Sequence, residues 1–143
     1  MIVRVNGGLD AMRGGKVSYL RSGAGSVGIM QINQIVWRGF YEVERLRWDT
    51  AYNARAGAQI LMRYVKDYAI PYAERSGDPN LAPRAAYAVY NAGPRAVGRF
   101  NKAKLHPREQ RVDERLWTLY QGIASGGQAD LRTCGVTTAA ASR

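Results

Sequence analysis

Residues 49–71 constrain the fold more than any other stretch. Asp49 is a side chain suited to an N-cap, Ala54, Ala58, Leu61, Val65 and Tyr68 recur near the helical period, and Pro71 marks a place to stop. A helix that begins at Asp49 and ends before Pro71 is expected. Similar reasoning gives a helix from Ser26, with Ile29, Ile32, Val36 and Phe40 on one face. Ser76-Gly77-Asp78-Pro79 reads as a turn, Pro83 suits the first turn of a third helix, and Asn91-Ala92-Gly93-Pro94 stops that helix. Pro94 can start a short helix through Phe100. After His106-Pro107 the residues Val112, Leu116, Leu119, Tyr120 and Ile123 form another helical stripe. No strand alternation recurs and no repeat of solenoid length is present. The expected fold class is mainly α.

The 143 residues, 46 % of them apolar, fit one globular domain. Its expected span is 1–124, because from Ser125 the composition turns to Gly, Ala, Thr and Ser without a period, and 125–143 are expected to be a disordered tail. No apolar run approaches the roughly 18 residues of a membrane span, and no export signal is visible at the N-terminus. Met1-Ile2-Val3-Arg4-Val5 reads as the end of an apolar helix, so the first helix is expected to be truncated and the start incomplete.

The single Cys134 has no partner for an internal disulfide and no Cys or His cluster beside it, so neither a disulfide framework nor a zinc site is expected. Lys and Arg number 21 against 11 acidic residues, for a net charge of +10. Such a balance favours a polyanionic partner, whether nucleic acid, anionic lipid or an acidic cell-wall polymer, but the basic residues are spread along the whole chain without a dense block. A solvated surface accounts for them equally well.

Gly23-Ala24-Gly25-Ser26-Val27-Gly28 matches G-x-G-x-x-G, preceded by Val17-Ser18-Tyr19-Leu20, which resembles a first strand. A dinucleotide fingerprint also needs a βαβ unit and an acidic residue about 20 positions on. Here Trp37-Arg38-Gly39-Phe40-Tyr41 and charged turns follow instead. The match reads as accidental, the glycines serving a tight turn.

Two uncharged segments, Gly28-Ile29-Met30-Gln31-Ile32-Asn33 and Tyr90-Asn91-Ala92-Gly93-Pro94, combine helix-boundary residues with hydrogen-bonding side chains. With Gln31, Asn33, Tyr90 and Asn91 lining one groove, they would make a glycan-binding cleft. Taken with Asn53 and Gly57 in the 49–57 stretch, and with Ala86-Tyr87-Ala88-Val89 leading into Tyr90, they resemble, in order, the motifs of the soluble lytic transglycosylase family, relatives of goose-type lysozymes. The resemblance covers roughly residues 2–120.

It implies a lysozyme-like helical domain that cleaves the peptidoglycan bond between N-acetylmuramic acid and N-acetylglucosamine, leaving a 1,6-anhydro sugar. Gln31 is similar to the glutamine that hydrogen-bonds sugar, Met30 to the residue packing beside it, Tyr90 to the tyrosine that bonds the catalytic carboxyl, and Asn91 to the neighbouring asparagine. Asn33 joins them as a substrate-binding candidate. The partner implied is the peptidoglycan glycan strand, with no cofactor, no metal, no nucleic acid and no transmembrane segment, in a monomer located in the periplasm or cell envelope.

The chemistry requires a carboxylic acid that protonates the leaving oxygen, with its pKa raised by poor solvation. The family's glutamate lies ahead of the Gly-x-Met-Gln motif, and in this chain the counterpart Val5-Asn6-Gly7-Gly8-Leu9-Asp10-Ala11 puts Asn6 at the acid position. Ser18 then matches the family's downstream serine. A competing register puts Leu9 there, and it too supplies no acid. An amide has no acidic proton to give, and retained fold does not imply retained chemistry. Asp10 is the only acidic residue before Glu42, and as a substitute it would need to turn inward beyond Gly7-Gly8. Glu42 and Glu44 read as members of surface ion pairs. His106 reads as a bystander beside Pro107. Trp37 and Trp117 read as core anchors, and Trp48 is the remaining indole able to stack on sugar.

Three readings follow: a lytic transglycosylase-type domain, a non-catalytic glycan-binding or scaffold domain on the same fold, and, more distantly, a basic nucleic-acid-binding helical domain.

Overall fold

The computed structural model describes residues 2–5, 8–13 and 16–127. They belong to two units, Met1–Met62 and Arg63–Arg143, whose boundary falls inside a helix. The chain is mainly helical, as expected from its apolar periodicity. Asn6 and residues 128–143 of the expected tail lie outside the described residues, while Ser125 and Gly126 form a turn.

The first unit opens with a three-stranded antiparallel sheet of β1 (Ile2–Val5), β2 (Gly8–Arg13) and β3 (Lys16–Tyr19). Ile2–Val5 is therefore a strand and not the end of a helix. The pairs Val5↔Gly8 and Arg13↔Lys16 leave only Asn6-Gly7 and Gly14-Gly15 to connect the strands. Both dipeptides rank among the strongest hairpin signals, and the β-branched Ile2, Val3 and Val5 suit a pleated ladder. Because β3 pairs antiparallel, the glycine-rich segment after it belongs to no βαβ unit.

A second small ladder pairs β4 (Ser26–Val27) with β5 (Ile32–Asn33), where a helix from Ser26 was expected. Gly28 at φ +72° and Gln31 at φ +50° turn the chain back within four residues, and positive φ is incompatible with a right-handed helix. Val27 and Ile32 pair and are buried, whereas Ile29, Val36 and Phe40, placed by periodicity on the same helical face as Ile32, are exposed, Phe40 by 67 %.

Helix α1 (Val43–Trp48) is followed by α2 (Thr50–Tyr64). Asp49 starts α2 as expected: its Oδ1 accepts the Tyr52 N–H at 2.9 Å, and that bond, with the Arg45 ion pair, lowers the carboxyl pKa. The buried stripe is Asn53, Ala56, Gly57 and Ile60, and Ala58 of the expected stripe faces solvent. Leu46, Val27 and Ile32 complete this unit's core.

In the second unit the helix does not stop before Pro71. It passes through a π-helical stretch, Val65–Ala69, into α3 (Ile70–Ser76), with the Ile70 N–H reaching the Val65 carbonyl. A proline ring collides with the carbonyl four residues back in a regular helix, and the wider π turn removes that collision. Gly77 at φ +68° closes α3, its N–H bonding the Ala73 and Glu74 carbonyls. Helix α4 (Leu81–Ala92) follows the turn, with Pro83 in its first turn, and stops at Gly93-Pro94 as expected.

The stretch expected as one short helix through Phe100 is two 3-10 turns, Pro94–Ala96 and Arg99–Asn101. His106 then caps α5 (Pro107–Ala124), its Nδ1 accepting the Arg108 N–H, which gives a structural task to a side chain read as a bystander. The core is alanine-rich, with Ala69, Ala73, Ala85, Ala86, Ala88 and Val89 buried, so α4 packs closely on α3, the π stretch and α5. On α5 the buried residue is Asp113; Tyr120 and Ile123 of its apolar stripe are exposed.

Candidate functional site

The Gly28–Asn33 segment is a tight turn fastened from beneath by Asn53. The Asn53 amide, 1 % exposed, accepts the Met30 N–H at 2.8 Å and donates to the carbonyls of Val27 at 3.1 Å and Leu46 at 2.9 Å. A Cβ at Gly28 would lie 2.1 Å from Asn53 Nδ2, and one at Gly57 would lie 2.5 Å from Met30 Cβ. The glycines of the two segments are thus the complements of Asn53 and Met30: each lets a neighbouring group approach where no side chain fits. Met30 packs on α2 through Gly57.

Gln31 is exposed at the turn's outer corner, with its Nε2 donating to the Gly28 carbonyl at 2.8 Å. Its oxygen and second amide hydrogen are the groups left for a ligand. Asn33 Oδ1 accepts the N–H groups of Ile35 at 3.0 Å and Val36 at 3.2 Å, and its Nδ2 donates to the Ala24 carbonyl at 3.2 Å. Its amide shapes the loop that follows β5. Ser18 is half-buried in β3, opposite Ala11. Leu9 and Asp10 are strand residues of β2, paired with Arg4 and Val3, so Asp10 does not extend a helix.

Trp37 is half-buried, edge-on to Phe40 and Tyr41, while Trp48 is 51 % exposed and edge-on to Tyr19. Glu44 pairs with Arg47, as expected for that charged stretch.

In the second unit, Tyr90 and Asn91 form the last turn of α4. Tyr90 meets Tyr64 edge-on at 6.4 Å between ring centroids. Asn91 Oδ1 accepts from Arg99 Nη1 at 2.8 Å. Arg99 is 2 % exposed, and its Nε and Nη2 grip the carboxylate of Asp113, itself 5 % exposed, with Nε to Oδ2 at 3.0 Å. Glu109 adds a longer contact at 4.0 Å. The Asp113 carboxylate raises the Arg99 pKa further, against the opposing effect of burial. Burial likewise pushes up the phenol pKa of Tyr87, one turn before Asn91.

The segment that carries Arg99 is fixed from other sides as well. Phe100 stands edge-on to Tyr72 and under the Arg84 guanidinium, Asn101 Nδ2 donates to the Tyr72 hydroxyl at 3.0 Å, and Gly98 leaves room for that ring. Trp117 stacks on Tyr120 and also lies beneath Arg84. Neither Arg99 nor Asp113 stood out in the sequence. The signal that finds them is Asp113 itself, an acid one turn before Leu116 and Trp117 on the apolar side of α5, where a carboxylate needs a partner.

A family model described as the transglycosylase SLT domain matches residues 16–112. The chain belongs to this family. The SLT match spans both the Gly28–Asn33 turn and the Tyr90–Asn91 corner, and the mainly helical architecture agrees with a lysozyme-like SLT domain. It begins at Lys16, so Asn6 lies outside the matched segment. No curated protein and no solved structure matches the chain. Among the described residues of this SLT domain no helix is long and apolar enough to cross a membrane, and no group of three or more His, Cys, Asp or Glu is placed to hold a metal ion.

Proposed function

We propose that this SLT domain binds peptidoglycan glycan strands in the cell envelope, with the Gly28–Asn33 turn and the Tyr90–Asn91 corner as its sugar-contacting parts. The observation that carries the reading is that the residues resembling the family's binding motifs are pinned in defined conformations by buried groups, Asn53 in one unit and Arg99 in the other. A neutral amide held in this way, beside the Tyr90 phenol, suits sugar hydroxyl and acetamido groups, which recognise fixed donors and acceptors better than charge.

Cleavage of the bond between N-acetylmuramic acid and N-acetylglucosamine would require one carboxyl group to protonate the leaving oxygen and then, as carboxylate, to accept the proton of the muramic acid C6 hydroxyl as that oxygen closes on C1. Asn6, which the sequence resemblance puts at the acid position, can do neither, and Leu9 of the competing register supplies no acid either. The reading therefore favours binding with very slow turnover over efficient catalysis. Tyr90 would orient a carboxyl group where one is supplied.

Incubating the chain with purified peptidoglycan and analysing the products by mass spectrometry separates the two activities. Retention on the polymer with no anhydro-muropeptides is expected from the wild type, and abundant anhydro product would overturn the inactive reading. Asn6→Glu tests the register: gain of product supports Asn6 as the acid position, and no gain returns weight to the register through Leu9.

A further inference from the structure

We infer that Arg99, anchored by Asp113, is a positioning residue that sets which face of the Asn91 amide a glycan meets; the inference rests on the glycan-binding reading above. Three observations lead to it. Asn91 lies at the exposed end of α4, beside Tyr90, while the guanidinium that holds it is 2 % exposed. The side-chain oxygen of Asn91 is taken by Arg99 Nη1 at 2.8 Å. Arg99 in turn has little freedom, because its Nε and Nη2 grip both oxygens of the buried Asp113.

An asparagine amide left to itself presents oxygen or nitrogen with nearly equal ease, since a half-turn about its last torsion exchanges them. A guanidinium offers only donors, so it selects the oxygen. The Nδ2 hydrogens are then directed away from Arg99, and Asn91 meets a ligand as a hydrogen-bond donor. Its complement is an acceptor oxygen on the glycan, either a hydroxyl or an acetamido carbonyl. The fork geometry matters as much as the charge. Arginine reaches the Asp113 carboxylate with two nitrogens and Asn91 with a third, whereas the point charge of lysine cannot span both in fixed directions. The buried ion pair thus defines the chemical polarity of a surface residue.

The experiment measures affinity for purified, peptide-free glycan strands together with the melting temperature, in the full chain. Asn91→Asp retains an oxygen for Arg99 and removes the Nδ2 donors at an exposed helix end, so the fold should survive while glycan affinity falls about fivefold to tenfold, the size of one lost hydrogen bond. Arg99→Lys should lower affinity by a similar factor in the wild-type background and produce no further loss when combined with Asn91→Asp. An additive loss in the double variant, or unchanged affinity in a folded Asn91→Asp, overturns the inference, and the second outcome does so even where Arg99→Lys fails to fold. Failure of the wild type to bind glycan at all would instead sink the functional reading on which it rests.

Discussion

Asn53 Oδ1 lies 2.8 Å from the backbone nitrogen of Met30, 23 residues earlier in the chain. The same amide donates to Val27 and Leu46, so one side chain joins the β4–β5 turn, the end of α1 and the first turns of α2. Truncation by Asn53→Ala would strand one N–H and two carbonyls in the core. A loss of roughly 2–4 kcal/mol is expected by urea unfolding. Asn53→Asp should be unfavourable in a pH-dependent manner. A carboxylate accepts from Met30 but repels both carbonyls, which raises its folded pKa above the unfolded value, so the penalty grows as pH rises through the interval between them. A penalty independent of pH would contradict this arrangement.

Gly57→Ala tests the contact on the other side of Met30. The added methyl would come within 2.5 Å of Met30 Cβ, an atom that every residue but glycine retains. Gly57→Ala should therefore destabilise despite the better helix propensity of alanine, and Met30→Ala should not rescue it. Rescue by Met30→Ala, read from melting temperatures of the singles and the double, would mean that only the flexible thioether end is in the way.

How much of this was legible in the sequence depended on whether the deciding interaction was local. Asp49, Pro83 and Gly93-Pro94 announce helix ends because a cap or a breaker acts within a few residues of itself. Ile29, Ile32, Val36 and Phe40 imitate a helical stripe, but the positive φ of Gly28 and Gln31 and the non-local bond from Asn53 impose a turn. The Asn6-Gly7 pair carries two signals at once, a place in the family motif and a local hairpin preference, and the pairing of Val5 with Gly8 answers only to the second. Family motifs single out Gln31, Tyr90 and Asn91 as candidates, but nothing at the positions themselves reveals that Gln31 bonds its own turn or that Asn91 answers to Arg99.

The Asp49 cap carries a pH signature. Its carboxyl pKa is lowered in the fold, first by the Tyr52 N–H and then by Arg45, so the folded state prefers the ionised form. The contribution is fully present above the unfolded carboxyl pKa of about 4 and is lost as pH falls through the lower folded value. Asp49→Asn keeps an acceptor for the cap without the charge. The stability difference between wild type and Asp49→Asn should shrink from pH 6 to pH 2 in paired denaturation curves, and a constant difference would deny the carboxylate any part in it.

Phe40 and Leu46 provide a contrast within one unit. Periodicity put Phe40 on a core stripe, yet it is 67 % exposed, whereas Leu46 is 1 % exposed. Phe40→Ser should change unfolding free energy by no more than about 0.5 kcal/mol, while Leu46→Ala should cost about 2–5 kcal/mol. A large loss from Phe40→Ser would restore the helix expected from Ser26.

The Arg99–Asp113 pair invites a test of what buried charge contributes. Removing either partner leaves the other charged and buried without its bidentate counterpart. Asp113→Leu and Arg99→Met should each cost about 3–5 kcal/mol. Desolvation of both ions offsets much of their mutual attraction, so the double variant should recover most of that loss and could approach the wild type in stability. It should nevertheless fail to restore the orientation of Asn91, because the nitrogen that selects its oxygen is gone. Stability and glycan affinity are thus expected to separate in the double variant, the first regained and the second not. If both return together, the ion pair serves the core alone; if neither returns, the pair is needed for folding in a way that its burial and geometry do not explain.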